Sequence, residues 1–286
     1  KAYSFGLGRF GRLGHGGEEC ELVPRLIEGV LETKKVVGVT AGTAHTVVWT
    51  DAGKAYSFGR GGYGQLGHGS QETELVPRLI EDVLVDKKVV DVAAGVNHTV
   101  VCTDDGNAYS FGDGEDGQLG HGGKESKLAP SLIKGVLVGK RVVGVAAGHL
   151  HTVVWTDKGN AYSFGNGWIG PLGHGGKEDE LVPRLIEGVM LGKRVVGVSA
   201  GNHHTLLWTN EGKAYSFGNG GNGQLGHDGT NDELVPRLIE GVMVAKRVVG
   251  VAAGAIQTVV WTNEGKAYSF GNGIFCQLGH GGTYRE

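Results

Sequence analysis

The sequence predicts an all-β fold in which one four-stranded antiparallel sheet is repeated along the chain. Three observations support this fold class. The pentapeptide AYSFG recurs every 53 residues, beginning at Ala2, Ala55, Ala108, Ala161, Ala214 and Ala267. Each interval contains four short segments rich in β-branched or apolar residues, with glycine-containing turns between them. No segment is convincing as a helix.

The four strands can be placed in order within one repeat. The apolar run Val142 to Gly148 predicts a first strand buried on both faces. His151 to Thr156 is β-branched and aromatic and predicts the second strand. The turn Asp157 to Gly159 supplies a glycine for a short hairpin, and Asn160 to Gly165 follows as the third strand. Leu181 to Val189 is the fourth, and its proline predicts an edge position.

Four antiparallel strands per 53-residue repeat are typical of the blades of a β-propeller. The chain holds five full repeats plus a partial sixth, and we expect residues 1–286 to form one repeat domain. Closure stays open among three arrangements: a compact five-bladed ring, part of a larger propeller, and a blade completed by another chain. An open arrangement would expose strand edges and favour self-association.

Two recurring motifs resemble those of a known family. The patterns V-A-A-G-x-x-H-T and Y-S-F-G-x-G-x-x-G-Q-L-G-H-G together resemble the repeat of the regulator-of-chromosome-condensation family, over essentially the whole chain. The resemblance implies a propeller that binds a partner protein, with a small GTPase or another regulatory protein among the candidates. Guanine-nucleotide exchange is the alternative that it implies. The constant period leaves no room for the insertion that the family's exchange factor carries.

The glycine loops contain G-x-G-x-x-G, a pattern also found at dinucleotide sites. Its first glycines are Gly6, Gly59, Gly112, Gly165 and Gly218. In each copy the motif is followed by a further loop rather than by a helix, so no helix N-terminus is available to hold a phosphate. We therefore expect no cofactor, and we assign the glycines to a tight backbone turn.

Composition narrows the function further. A formal net charge of −3 gives no strong signal for nucleic acid, and no apolar run predicts a membrane span or a signal peptide. Three cysteines without a pairing pattern favour an intracellular compartment, cytoplasmic or nuclear. No nucleophile and base stand out together, so we expect no catalytic residues and a protein that is not an enzyme.

Most of the 12 histidines recur at fixed repeat positions, which indicates hydrogen-bonding struts rather than metal ligands. Only His149 and His203 are individual to their repeats, and no cysteine or carboxylate completes a zinc set beside them. Tryptophans at one strand-two position predict packing between neighbouring sheets.

Two places in the repeat vary freely, one between the first two strands and one in the glycine loop. In an up-and-down sheet both loops emerge at the same end, so we expect them to form one recognition surface. Several of the varying residues are large and apolar, as in protein interfaces. The predicted partner-binding residues are Arg9, Phe10, Thr43, Tyr63, Val96, Asn97, Glu115, Asp116, His149, Leu150, Trp168, Ile169, Asn202, His203, Asn222, Ile256, Ile274 and Phe275.

Two alternatives to a recognition surface stay open at this point. Loops tolerate neutral drift, and the near-identity of the repeats is compatible with recent duplication or engineering without a cellular partner. The opposite end of the sheets carries a ring of lysines and arginines beside acidic turns. We interpret that ring as mutual charge compensation on a solvated rim.

Overall fold

The computed structural model describes residues 1–243 and 245–282. The chain divides into two compact units, Lys1–Val145 and Ala146–Glu286. Both units consist of short antiparallel strands, which confirms the predicted all-β class. The helical segments among the described residues are three-residue 3-10 turns, and none is long and apolar enough to cross a membrane.

The strands are numbered β1 to β21 along the chain and fall into four repeated types. The first strands are β3 (Val36–Ala41), β7 (Val89–Ala94), β11 (Val142–Ala147), β15 (Val195–Ala200) and β19 (Val248–Ala253). The second strands are β4 (His45–Thr50), β8 (His98–Thr103), β12 (His151–Thr156), β16 (His204–Thr209) and β20 (Gln257–Thr262). The third strands are β1 (Tyr3–Gly6), β5 (Ala55–Gly59), β9 (Ala108–Gly112), β13 (Ala161–Gly165), β17 (Ala214–Gly218) and β21 (Ala267–Gly271). The fourth strands are β2 (Glu21–Leu26), β6 (Glu74–Leu79), β10 (Lys127–Leu132), β14 (Glu180–Leu185) and β18 (Glu233–Leu238).

Each complete sheet is an up-and-down meander in sequence order. The orders are β3-β4-β5-β6, β7-β8-β9-β10, β11-β12-β13-β14 and β15-β16-β17-β18. In the described residues β1 and β2 form a two-stranded sheet, and β19, β20 and β21 form a three-stranded one. The proline-containing fourth strand lies at a sheet edge, as predicted, because proline cannot donate a ladder hydrogen bond.

Two strand predictions need correction. The fourth strand ends at Leu185 and not at Val189, because a 3-10 turn over Gly188–Met190 begins at a glycine with φ of 66°. The first strand is not buried on both faces, since Val143 is 41% exposed. The equivalent strands β3 and β15 show the reason, since a β-bulge beside the second strand leaves their second valine without a partner.

The second and third strands of each complete sheet are its most deeply buried elements. In the N-terminal unit Val47 and Val48 have no exposed surface, and Trp49 packs against a buried cluster that includes Val89 and Val92 of the following sheet. In the C-terminal unit Trp155 packs in the same way on residues of β15 and β16. Trp49 and Trp155 therefore pack between neighbouring sheets, as predicted, and burying such large side chains supplies much of the hydrophobic stabilisation. Trp261 differs, since it is 40% exposed.

The repeated histidines are hydrogen-bonding struts, as predicted. In the N-terminal unit His45 Nε2 lies 2.9 Å from Thr99 Oγ1, which joins β4 to β8. The glycine loops carry a second strut. Ser57 Oγ donates to the Leu66 carbonyl at 2.6 Å and lies 2.9 Å from His68 Nε2. The C-terminal unit repeats both arrangements.

At the end of the sheets where strands two and three meet, charges compensate one another in part. Lys87 Nζ lies 2.6 Å from Asp105 Oδ2 in the N-terminal unit, and Lys246 Nζ lies 3.7 Å from Glu264 Oε2 in the C-terminal unit. Arg141 donates to the Asp104 carbonyl at 2.7 Å. These contacts agree with the interpretation of this rim as a solvated, self-compensating surface.

Candidate functional site

The two variable loops of each sheet meet at the same end, which we call the variable end. In β3 to β6 the Arg60 amide donates to the Ala44 carbonyl at 2.9 Å, and so joins the glycine loop to the loop between strands one and two. The same backbone bond recurs from Asn166 to Leu150 at 2.8 Å. The backbone of the variable end is therefore fixed by hydrogen bonds that do not depend on the variable side chains.

Buried amide side chains hold the tips of the glycine loops. Gln65 has no exposed surface, and its Oε1 accepts a hydrogen bond from the Tyr63 amide at 2.9 Å. Gln118 and Gln224 accept in the same way from Asp116 and Asn222. Because the glutamine binds the backbone amide of the tip residue, this hydrogen bond does not depend on which side chain the tip residue carries. The loop is a scaffold that presents two adjacent variable residues.

In the N-terminal unit the structure brings Arg9, Phe10 and Tyr63 together. Arg9 Cζ lies 4.6 Å from the centroid of the Phe10 ring, and Arg60 Cζ lies 5.4 Å from that centroid and 5.2 Å from the centroid of Tyr63. Arg12 links Thr43 to the group, since its Nη1 donates to the Thr43 carbonyl at 2.8 Å. Four predicted site residues thus form one cluster with Arg12 and Arg60.

The other predicted residues of this unit lie on the remaining variable ends. Glu115 is exposed, while Asp116, Val96 and Asn97 are half-buried. The Asn97 carbonyl accepts from the Asp113 amide at 2.9 Å. Asn97 therefore also contributes its backbone to the scaffold.

In the C-terminal unit, large apolar side chains stand at the loop tips. Trp168 is 63% exposed, Ile274 50% and Phe275 80%. Ile169 adopts a left-handed backbone with φ of 70°, which is unusual for a β-branched residue, and Phe10 does the same in the other unit with φ of 64°. Strained conformations of bulky residues persist where the surroundings hold them, and they cluster at functional sites.

His149 and His203 are also brought together in the C-terminal unit. Their rings meet edge to face with centroids 5.3 Å apart, and the His149 amide donates to the Asn202 carbonyl at 3.2 Å. Burial, followed by the neighbouring His149, lowers the pKa of His203. Among residues 1–243 and 245–282, no three His, Cys, Asp or Glu side chains lie close enough together to hold a metal ion.

Leu150, Asn222 and Ile256 complete the predicted set, and all three are half-buried. Asn272 Nδ2 donates to Asn222 Oδ1 at 3.0 Å, which connects two adjacent glycine loops. The Ile256 carbonyl accepts from the Asn272 amide at 3.1 Å.

Sequence reasoning missed Arg12 and Arg60. The signal was present, since the position of Arg12 holds a glutamine or proline in the other repeats. The position of Arg60 holds aspartate or asparagine in the four repeats that follow it. Comparison of the repeats at these two sites would have added both arginines to the variable set.

The chain is similar in sequence and structure to several known proteins. It is 38% identical over 266 residues to the human E3 ubiquitin-protein ligase HERC2, a match that covers 92% of this chain but only 5% of HERC2. The solved structure of human WBSCR16 shares 27% identity with a TM-score of 0.89, and the match covers 99% of this chain and 75% of that one.

The structure of Prp20p from Saccharomyces cerevisiae, described together with its binding properties to Gsp1p and histones, matches with a TM-score of 0.79 at 23% identity. This match covers 94% of the present chain and 66% of Prp20p, and it supports the fold. The family model of the RCC1-like domain matches residues 1–286. The chain therefore belongs to the RCC1-like domain family.

Proposed function

We propose that this chain is a non-catalytic protein-binding domain whose variable ends recognise a partner protein. One observation carries the proposal. The backbone of each variable end is fixed by repeated hydrogen bonds, while the side chains presented there differ from repeat to repeat and include exposed Trp168, Ile274 and Phe275. Exposed aromatic anchors on a rigid scaffold are the usual centres of protein interfaces.

Partner capture from a cell lysate tests the proposal. The variant Trp168→Ser, Ile274→Ser, Phe275→Ser removes three exposed apolar side chains and should fold normally, which circular dichroism checks. We expect the unaltered chain to retain a defined partner and this variant to lose it, because hot-spot truncations each cost about 2 kcal/mol or more.

A matched control carries serine at Val138, Val189 and Leu191, which are 71%, 52% and 65% exposed and lie in the segments between strand four and the next strand one. These segments are at the opposite end of the sheets. Retention by the control and loss by the first variant would support the proposal. Equal retention by both variants would place the binding surface elsewhere.

Guanine-nucleotide exchange remains the alternative function, and a captured small GTPase would permit its test. Release of fluorescent GDP from that GTPase would be measured with and without the chain. Acceleration that the serine variant abolishes would support exchange, whereas binding without acceleration would support a non-catalytic role. Capture of no protein at all would favour the alternative of a scaffold without a cellular partner.

A further inference from the structure

We infer that Arg9, Arg12 and Arg60 form a site for a short acidic segment of the partner protein, an inference that rests on the proposed function. All three guanidinium groups converge on the ring of Phe10. Their Cζ atoms lie 4.6, 5.9 and 5.4 Å from its centroid, respectively. The Tyr63 ring is a second aromatic neighbour of Arg60, with its centroid 5.2 Å from the Arg60 Cζ atom. Stacking on aromatic rings orients the planar groups and leaves the N–H donors at their edges accessible.

None of the ion pairs in the described part of the chain involves these three arginines. By contrast, arginines of the fourth strands are neutralised within their own strand, since Arg25 lies 2.6 Å from Glu21 and Arg78 lies 2.6 Å from Glu74. Arg12 is held in place by carbonyl acceptors, with its Nε donating to Arg9 at 2.9 Å and its Nη1 to Thr43 at 2.8 Å. The cluster therefore concentrates positive charge without an ion pair to a described carboxylate.

Two of these arginines replace residues that stabilise the loop in other repeats. Gln65 and Gln118 occupy the position of Arg12 and bind the tip of their own loops. Asp113 occupies the position of Arg60 and accepts a hydrogen bond from the Glu115 amide at 3.1 Å. Other repeats therefore carry a neutral residue at the position of Arg12 and a neutral or acidic residue at the position of Arg60. The two arginines instead place like charges close together. Replacement of loop-stabilising residues by arginines of like charge indicates that these side chains serve to bind a partner rather than to stabilise the fold.

The chemistry of the site favours carboxylates. A guanidinium group donates two parallel hydrogen bonds to one carboxylate, and neighbouring arginines can bind neighbouring carboxylates. The aromatic rings beneath them offer apolar contact to the stems of the same acidic side chains. A segment with two or three adjacent Asp or Glu residues would satisfy the cluster.

A long polyanion fits this unit less well. Glu115 and Asp116 occupy the corresponding loop of the next sheet and would repel an extended phosphate backbone. The net charge of −3 also lacks the basic excess that nucleic-acid binding exploits. We therefore assign the cluster to a short acidic peptide rather than to nucleic acid.

Fluorescence anisotropy with a labelled hexaglutamate peptide tests this inference at low salt. The variant Arg9→Gln, Arg12→Gln, Arg60→Asn places at two positions the residues that other repeats carry, so its fold should be retained. We expect it to bind the peptide at least about tenfold more weakly than the unaltered chain does, because bidentate charge-assisted hydrogen bonds are lost.

The control Lys34→Gln, Lys35→Gln, Lys140→Gln removes three charges from the opposite end of the same unit and should bind nearly as well as the unaltered chain. Equal weakening of both variants would reveal only long-range attraction and would overturn the inference. So would the absence of peptide binding, or tighter binding of a single-stranded DNA oligonucleotide that the arginine variant loses. If the peptide fails to bind while the serine variant still loses its captured protein, this inference fails and the proposed function stands.

Discussion

At the scale of single residues, the second complete sheet differs from its neighbours by two changes that belong together. In the other complete sheets a glycine faces a tryptophan across strands one and two, and a Cβ on Gly38 would lie only 2.0 Å from the Trp49 ring. Here Asp91 faces Cys102 in the same register. The smaller thiol leaves the space that the aspartate side chain needs.

This pairing predicts strong coupling between the two sites. The variant Cys102→Trp should destabilise the chain by about 1–3 kcal/mol, because the indole would overlap Asp91. The double variant Asp91→Gly, Cys102→Trp restores the pair of the other sheets and should recover most of that loss. Denaturant unfolding of both single variants and the double variant gives the coupling free energy. Additive losses would show that the two positions do not share this space.

Asp91 also predicts a pH dependence. Its carboxylate accepts from the Val92 amide at 3.0 Å and the Val145 amide at 3.1 Å, yet burial dominates and raises its pKa to about 6. The folded state therefore holds a proton that the unfolded state releases near pH 4. The stability contributed by this group is present below that pH and is lost as the pH rises through about 6.

The variant Asp91→Asn removes this titration. Relative to the variant, the unaltered chain should lose stability between about pH 4 and pH 6, by about 1.4 kcal/mol for each unit of pKa difference. Unfolding free energies of both proteins across this range supply the measurement. A difference that stays constant with pH would mean that Asp91 has an ordinary pKa.

At the scale of elements, β21 lacks a fourth-strand neighbour in the described residues. In the complete sheets that position holds a fourth strand with the sequence ELVPRL, or KLAPSL in β10. In the first of these sheets Tyr56 pairs with Leu79 and Ser57 with Arg78. A cavity of about 630 Å³ lies beside β21 and is lined in part by Ile239, Met243 and Phe270. A strand edge that has no partner among the described residues and lies next to a partly apolar cavity is a template for a further strand.

We therefore expect the peptide ELVPRLIEGV to bind along β21. Fluorescence-detected titration of labelled peptide measures this binding, and a scrambled peptide of the same composition is the control. Bound peptide should also reduce any concentration-dependent self-association seen by sedimentation, since it occupies the exposed edge. Identical affinities for the two peptides would show that the edge has no register-specific recognition.

Much of this architecture could be predicted from the sequence because the pattern of each strand recurs in every repeat. The bounds of β12 agree with the prediction at both ends, since His151 and Thr156 are flanked by turns. The exposed Val143 could not be foreseen, because a bulge depends on ladder pairing and not on hydrophobic pattern. The convergence of Arg9, Arg12 and Arg60 could not be predicted either, because it depends on how two adjacent glycine loops are positioned in space. Residue propensities do not predict the left-handed backbone of Phe10, because they assign such conformations to glycine.

At the scale of the whole molecule, the histidine struts predict that the fold loses stability in acid. Burial lowers the pKa of His45 and of His204 to about 4, and it also lowers the pKa of several glycine-loop histidines. Below about pH 6.5 these histidines become protonated in the unfolded state but stay neutral in the folded state. Stability should therefore fall as the pH drops from about 6.5 toward 4, against the smaller and opposite effect of Asp91.

The fifth repeat offers a natural substitute for one strut. Gln257 replaces the histidine there and lies over Gly254, as His45 lies over Gly42. The variant His45→Gln should fold and should show a shallower loss of stability between pH 6.5 and 4, by up to about 1.4 kcal/mol per unit of pKa difference removed. Denaturant unfolding at several pH values measures both proteins. Parallel curves would mean that His45 does not contribute to acid unfolding, and the sensitivity would then belong to His204 or to the half-buried histidines of the glycine loops.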